Sequence, residues 1–380
     1  MLSNNTYRDA RAYLPHPMGR KRDPVPTAAA PRAGGIKYLP FVSVCTVTFN
    51  RRPFWPAALE LFRAQTYPKN RMEWIIVDDG TDKVRDLVEA AGIPQIKYVA
   101  LEAKMALGAK RNLSHAHCKG SIIVYMDDDD YYPPERVAHA VERLTAHPEA
   151  MCAGASELYI YFKHIAQMWQ CGPYNPGHAT AGTFAFRREL LLTSRYDEGA
   201  ALAEEKNFLH NYTVPFVQLD PRKTILVFSH IHNTFDKRRM LDSPHPQYFK
   251  LSPRSVDDFI VGRGAPAMRA FFMSDVDAQL ALYEPGHVRH KPDAVAQMRA
   301  IELEHARLSR ELEAENERLE REAAAARDDK YSPIVVQTAG QPRRVLTSDE
   351  VVALIQSQQA QIQELARRLA ATGGDSALAS

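Results

Sequence analysis

No Cys-x-x-Cys pair occurs in this chain. Its four cysteines, Cys45, Cys118, Cys152 and Cys171, lie far apart, which argues against a zinc site built from them. Cys45 sits in an apolar run and reads as a small core residue. No apolar stretch approaches the roughly 18 residues of a membrane span. The stretch from Met1 to Arg32 has no hydrophobic segment of the kind a secretory signal needs. A surplus of one charge is also missing: the formal net charge is +2, so no global field calls for a nucleic-acid partner. The expected location is cytoplasmic, with peripheral contact at a membrane left open. What remains is an ordinary globular composition. Across 380 residues, 45% are hydrophobic and 25% charged, enough for a sizeable core and more than one segment.

Order is expected to begin near residue 39. Residues 1–38 contain Pro15, Pro17, Pro24, Pro26 and Pro31 with few large apolar residues and read as a flexible arm. Phe41 to Phe49 is a β-rich run, followed by a helical pattern around Trp55, Leu59, Leu61 and Phe62. Trp74 to Val77 is a second strand. Thr81 to Ala91 reads as a helix, Ile96 to Ala100 as a strand and Leu107 to Cys118 as a helix. Ser121 to Met126 is a further strand, and Pro133-Pro134-Glu135 opens another helix. This alternation predicts an α/β fold, a doubly wound and mainly parallel sheet with helices on both faces. Ligands bind such sheets beyond the carboxyl ends of the strands, where Asn50, Asp79 and the run Asp127 to Asp130 fall.

Later segments are less regular. Leu158 to Phe162, Phe216 to Leu219 and Thr224 to Phe228 are strand-like. Residues 39–240 are assigned to one catalytic domain and 241–292 to a helical or looped extension, with a small helix within Ser255 to Ala270. Residues 293–328 form a coiled-coil-like helix, because Met298, His305, Leu312 and Leu319 recur every seven positions with Ile301 and Leu308 between them. Residues 329–380 form a linker and an amphipathic helix, opened at the capping-box spacing of Thr347 and Glu350. Both helices are candidates for homo-oligomer contacts.

Four adjacent aspartates at a strand end repel one another, and a hard divalent cation with oxygen ligands relieves that repulsion. Mg²⁺ or Mn²⁺ suits such a site, and either ion bridges carboxylates to a diphosphate.

Several motifs in one order resemble the family 2 glycosyltransferases, which have the GT-A fold. The likeness covers roughly Pro40 to Thr234. Val42 to Arg51 resembles the family's first strand and nucleotide-contacting turn, and Trp74 to Thr81 its second strand with an acidic turn. Gly108 to Asn112 is similar to the helix that carries an Arg-Asn pair toward the nucleotide, and Tyr125 to Asp130 to the Asp-x-Asp motif.

This resemblance implies a transferase that moves a sugar from a UDP-, GDP- or dTDP-sugar to a hydroxyl of a glycan, a lipid-linked glycan or a protein, with inversion. Thr48, Phe49 and Asn50 would meet the base, and Asp79, with Asp78 beside it, the base or ribose. Lys110 would bind the nucleotide sugar, and Arg111 would pair with phosphate or hold the acidic turns. Asp127 and Asp129 would bind Mn²⁺ or Mg²⁺. Asp128 would contact sugar or ribose, and Asp130 would support the loop or the sugar. The base matches Glu205, with Glu204 as runner-up, where the usual Glu-Asp is Glu-Glu. A late histidine, His232 or His230, would add a metal or phosphate ligand. Two other readings compete. A sugar-nucleotide pyrophosphorylase needs a Gly-rich loop after its first strand, where Phe49 to Pro53 has no glycine. A non-catalytic scaffold with a degenerate domain is the other.

Overall fold

A computed structural model of the chain describes residues 39–202, 205–242, 244, 246–325, 334–337, 340 and 342–372. The proposed arm, residues 1–38, lies outside them. Three runs form the centre of the main sheet: β1 (Val42–Thr48), β2 (Met72–Asp78) and, beyond α1 (Trp55–Ala64), α2 (Arg85–Ala91), β3 (Ile96–Ala100) and α3 (Leu107–Ala116), β4 (Ile122–Tyr125). All or nearly all of each central strand is buried, as expected when helices cover both faces. α4 (Arg136–Ala146) and β5 (Cys152–Gly154) follow, then β6 (Leu158–Phe162), β7 (Gln167–Cys171) and β8 (Ala185–Arg187). α5 (Glu205–Phe208) and β9 (Phe216–Gln218) complete this part.

The seven-stranded sheet runs in the order β3-β2-β1-β4-β8-β5-β9. Strands β1 to β4 are mutually parallel, β8 is antiparallel to both β4 and β5, and β9 is parallel to β5. The doubly wound, mainly parallel sheet of the GT-A type expected above is therefore present. One helical layer packs through aromatic rings, with Trp74 stacked on Phe62 at 4.6 Å and on Trp55 at 5.7 Å. On the opposite face Tyr196 stacks on Phe208 at 4.4 Å, and Phe186 meets Phe208 edge-on at 5.2 Å. The fully buried Arg136 donates to three carbonyls, of Tyr125, Thr183 and Phe184. All three bonds come from Nη2, while the buried Nε and Nη1 have no hydrogen-bond partner among the described residues, so part of the cost of burying a guanidinium stands.

A second sheet, in the order β10-β6-β7-β11, contains β10 (Val227–Ser229) and β11 (Phe249–Leu251). Residues 241–292 thus contribute a strand to this sheet. They also supply α6 (Ala265–Ala270) and α7 (Val276–Leu282). Val276 and Leu280 pack on Phe54, and Phe272 stacks on Phe228 at 5.0 Å. α8 (Pro292–Ala325) and α9 (Ser348–Thr372) form the tail, with a short hairpin of β12 (Val335–Val336) and β13 (Arg344–Val345) between them. Along α8, Leu303, Leu308 and Leu312 are exposed. No described helix is long and apolar enough to cross a membrane.

Strand register brings the site together. Thr48 is opposite Asp78 across β1 and β2, and Cys45 is opposite Tyr125 across β1 and β4. The chain therefore leaves all three strands at one edge, and Phe49, Asp79 and Asp127 emerge side by side.

Candidate active site

Asn50 turns the chain out of β1 in the left-handed region, at φ 50°, which asparagine tolerates better than most residues. Its Oδ1 accepts the amide of Asp82 at 2.9 Å, and its Nδ2 donates to Thr81 Oγ1 at 3.1 Å and to the Pro285 carbonyl at 2.9 Å. Asn50 therefore locks the first turn to the second, and its side chain faces these turns. Gly80 is required beside it, because a Cβ there would lie 2.6 Å from Asn50 Oδ1. Asp78 is used in the same turn. Its carboxylate accepts from the amides of Gly80 at 2.9 Å and Val84 at 3.1 Å, and from the Tyr98 hydroxyl at 2.5 Å. Asp79 accepts the Met105 amide at 2.8 Å and is ion-paired with Lys110. Lys110 also donates to the Thr48 carbonyl at 3.1 Å. Burial pulls its ammonium below the usual lysine range, against the opposing pull of Asp79.

The four aspartates occupy four environments. Asp127 and Asp129 are partly exposed while Asp128 and Asp130 are buried, in a bend that follows the end of β4. Asp127 lies against the turn at Gly182, where a Cβ would come within 2.8 Å of its Oδ2. Asp128 is pushed up to about 7 by burial and then by the charge of Asp129, and its buried Oδ2 has no hydrogen-bond partner. Asp129 lies 3.5 Å from Arg51 Nε and 3.3 Å from His230 Nε2. Burial would raise it, but the His230 hydrogen bond and the Arg51 charge hold it well below the usual carboxylate range. Asp130 turns back into the fold and accepts the Phe228 amide at 3.3 Å. Burial, then Asp129, pushes it well above the usual range.

A cavity of about 190 Å³ opens at these strand ends, lined among others by Phe49, Arg51, Lys110, Arg111, Asp127, Asp128 and Asp129. Phe49 forms one wall with ammonium groups around its ring, Lys104 at 5.4 Å and Lys110 at 5.9 Å from the centroid. The Arg111 guanidinium lies over the Tyr125 ring at 4.5 Å. Thr48, Asn50, Asp78, Asp79 and Asp130 support this cavity without being among its lining residues.

The donor set suits one kind of ion site. Among the described residues no three His, Cys, Asp or Glu side chains are grouped to hold a metal. Asp127, Asp128 and Asp129 line the cavity, and Asp128 Oδ2 has no hydrogen-bond partner among the described residues. Hard oxygens in this number fit Mg²⁺ or Mn²⁺ completed by substrate phosphates and water, rather than a cage of protein ligands alone. His232 stands apart from the cavity. Its buried Nδ1 has no hydrogen-bond partner and lies where a Cβ on Gly286 would meet it at 2.5 Å. Burial and the Arg51 charge lower it to about 4. His230, not His232, is the histidine that touches Asp129.

Glu205 is the first residue of α5, and its Oε1 accepts the Ala181 amide at 3.2 Å. Ala181 precedes Gly182, which backs Asp127; Glu205 itself is not among the residues that line the cavity. The runner-up Glu204 lies outside the described residues.

Residues 43–192 match the Glycosyl transferase family 2 profile. This segment is a family 2 glycosyltransferase domain. Over 127 residues the chain is 28% identical to an uncharacterized glycosyltransferase of Haemophilus influenzae, covering 32% of this chain and 42% of the relative. Over 106 residues it is 29% identical to WcaA of Escherichia coli, provisionally described as a colanic acid biosynthesis glycosyl transferase, covering 27% of this chain and 37% of the relative. The chain thus spans 42% and 37% of the length of these curated relatives. Among solved structures it is similar to the mannosyltransferase PcManGT from Pyrobaculum calidifontis, in complex with GDP-Man and Mn²⁺, at 17% identity and a TM-score of 0.41. That match covers 68% of this chain and 86% of the other.

Part of the cavity comes from residues that sequence reasoning did not single out. Lys104 precedes α3, and Lys291, Asp293 and Ala294 lie far beyond the matched transferase domain. Lys104 and Asp293 form an ion pair across the cavity mouth. Pro292 and Asp293 mark a helix start in the sequence, but nothing local to them points at a cavity more than 160 residues upstream.

Proposed function

We propose that this protein transfers a sugar from a nucleoside-diphosphate donor to a hydroxyl of a glycan, a lipid-linked glycan or a protein, inverting the anomeric centre. The observation that carries this reading is the convergence of Phe49, Lys110 and the Asp127–Asp129 carboxylates on one cavity at the carboxyl ends of β1, β2 and β4. The family 2 match and the two glycosyltransferase relatives support it.

In this reading the Phe49 ring takes the base, edge-on or stacked. Lys110, held between Asp79 and the Thr48 carbonyl, presents its charge to the donor's nucleoside end. Asp127 and Asp129 would hold Mn²⁺ or Mg²⁺, which when bound would supply positive charge to neutralise the departing phosphate. Arg51 and His230 keep Asp129 ionised, so a carboxylate is ready for a cation at neutral pH. Asp128 stands beside them for sugar or ribose. Glu205 accepts the proton of the acceptor hydroxyl, which is a weak nucleophile until that proton has a base within reach. The exposed leucines of α8 fit self-association of the tail helices.

A calorimetric screen of UDP-, GDP- and dTDP-sugars, each with and without Mn²⁺, tests the proposal. One donor binds, more tightly with the ion, if the reading holds. Binding by none of them favours a non-catalytic scaffold.

A further inference from the structure

Lys291 lies 99 positions beyond the end of the matched transferase domain, yet it lines the same cavity as Asp128 and Asp129. Its Nζ donates to Thr234 Oγ1 at 2.7 Å and sits 6.0 Å from the centre of the Phe49 ring. Three other cations that line the cavity are already engaged. Lys110 is paired with Asp79, Lys104 with Asp293, and Arg51 lies against Asp129. Lys291 alone of these four has no ion pair with a described carboxylate. Asp128 and Asp129 attract this ammonium without pairing with it, and a buried ammonium with no directly paired counter-charge is costly. An anion arriving there would supply the missing partner.

The segment around Lys291 is fixed from several sides. Arg51 Nη1 donates to the Gly286 carbonyl at 3.2 Å, and Asn50 holds the Pro285 carbonyl. Two positions after Lys291, Asp293 is neutralised by Lys104, so the first turn of α8 brings no free negative charge to the cavity. The lysine is therefore held in place before any ligand arrives, and pre-organised charge is worth more than charge that must be ordered on binding.

The geometry points to Lys291 as a direct contact for the donor's diphosphate, supplied by the tail and not by the matched domain. This inference rests on the nucleotide-sugar reading above. It implies that the transferase domain without the start of α8 has an incomplete donor site.

The test uses the full chain and calorimetry in Mn²⁺, with UDP, GDP and dTDP and the matching monophosphates as probes. Wild type identifies the diphosphate that binds. Lys291→Gln is expected to weaken that diphosphate by about 10-fold or more and its monophosphate by less than about 3-fold, while Lys291→Arg stays within about 3-fold of wild type for both, as expected of a charge-assisted contact. Unchanged melting of Lys291→Gln shows that its fold is intact. Equal weakening of diphosphate and monophosphate, or no weakening, overturns the role of Lys291 while leaving the donor reading standing. Failure of wild type to bind any of the three diphosphates overturns the donor reading and this inference with it.

Discussion

Gln297 Oε1 accepts the amide of Ala201 at 2.7 Å, and that of Leu202 at 3.0 Å, so the second turn of α8 fastens the loop that runs into Glu205. Removing this acceptor leaves two partly buried amides unpaired and lets the loop drift. Gln297→Leu is expected to lower kcat by about 10-fold or more, because small misplacements of a base are costly, and to leave donor affinity within about 3-fold. Turnover and calorimetry on the same preparation check this. An unchanged kcat would show that Glu205 is placed without Gln297.

Two glycines separate site effects from stability effects. A Cβ at Gly182 would fall 2.8 Å from Asp127 Oδ2, whereas a Cβ at Gly108 would fall 2.0 Å from the Asp197 carbonyl oxygen. The first obstacle is a side chain at the cavity and the second is backbone behind α3. Gly182→Ala should reduce turnover by about 10-fold with little change in melting. Gly108→Ala should cost about 1–3 kcal/mol of stability, the usual range for overpacking, seen as a lower Tm. Reversal of these two outcomes would show that Asp127 is not held by the Gly182 turn.

Asp128 makes stability depend on pH in a defined direction. Its folded value, about 7, is above its ordinary 3.8. A raised acid stabilises the fold fully below its unfolded value, and that contribution fades as pH climbs through the folded value. Arg51, Asp129 and Lys291 face it and all act on it. Asp128→Asn cannot ionise, so without added metal its Tm gain over wild type should widen between pH 4 and 7 and then level off. His230, lowered to about 3 by burial, titrates with the opposite sign but is present in both proteins and drops out of the difference. A gap that stays flat across this range contradicts the assignment.

The central sheet was legible because β1, β2 and β4 are short, mainly apolar or β-branched runs, and helix starts were marked by Pro53, Pro56 and Pro133-Pro134. The helix expected from Thr81 begins only at Arg85, because Asp78 takes the amides of Gly80 and Val84 and holds the turn open. Strands β5 and β11 were not singled out; each has three residues and lacks the longer apolar run that marked the equally short β9 and β10. The acidic run stood out as a cluster of charge at a strand end. The separate surroundings of its members did not, because Arg51, His230 and the Phe228 amide reach it from other parts of the chain. Lys291 and Asp293 were invisible for the same reason: only tertiary packing brings the start of α8 to the cavity.

Binding of a nucleotide sugar in this cavity, through the acidic run and a divalent ion, can be measured as donor turnover. Release of nucleoside diphosphate from the bound donor, followed in Mn²⁺ and after chelation for wild type and Asp129→Asn, tests it most directly. Mn²⁺-dependent release is expected from wild type, with a loss of about 100-fold or more in the variant, in line with removing a group that stabilises developing charge. Equal release by the two proteins, or release indifferent to chelation, would contradict it.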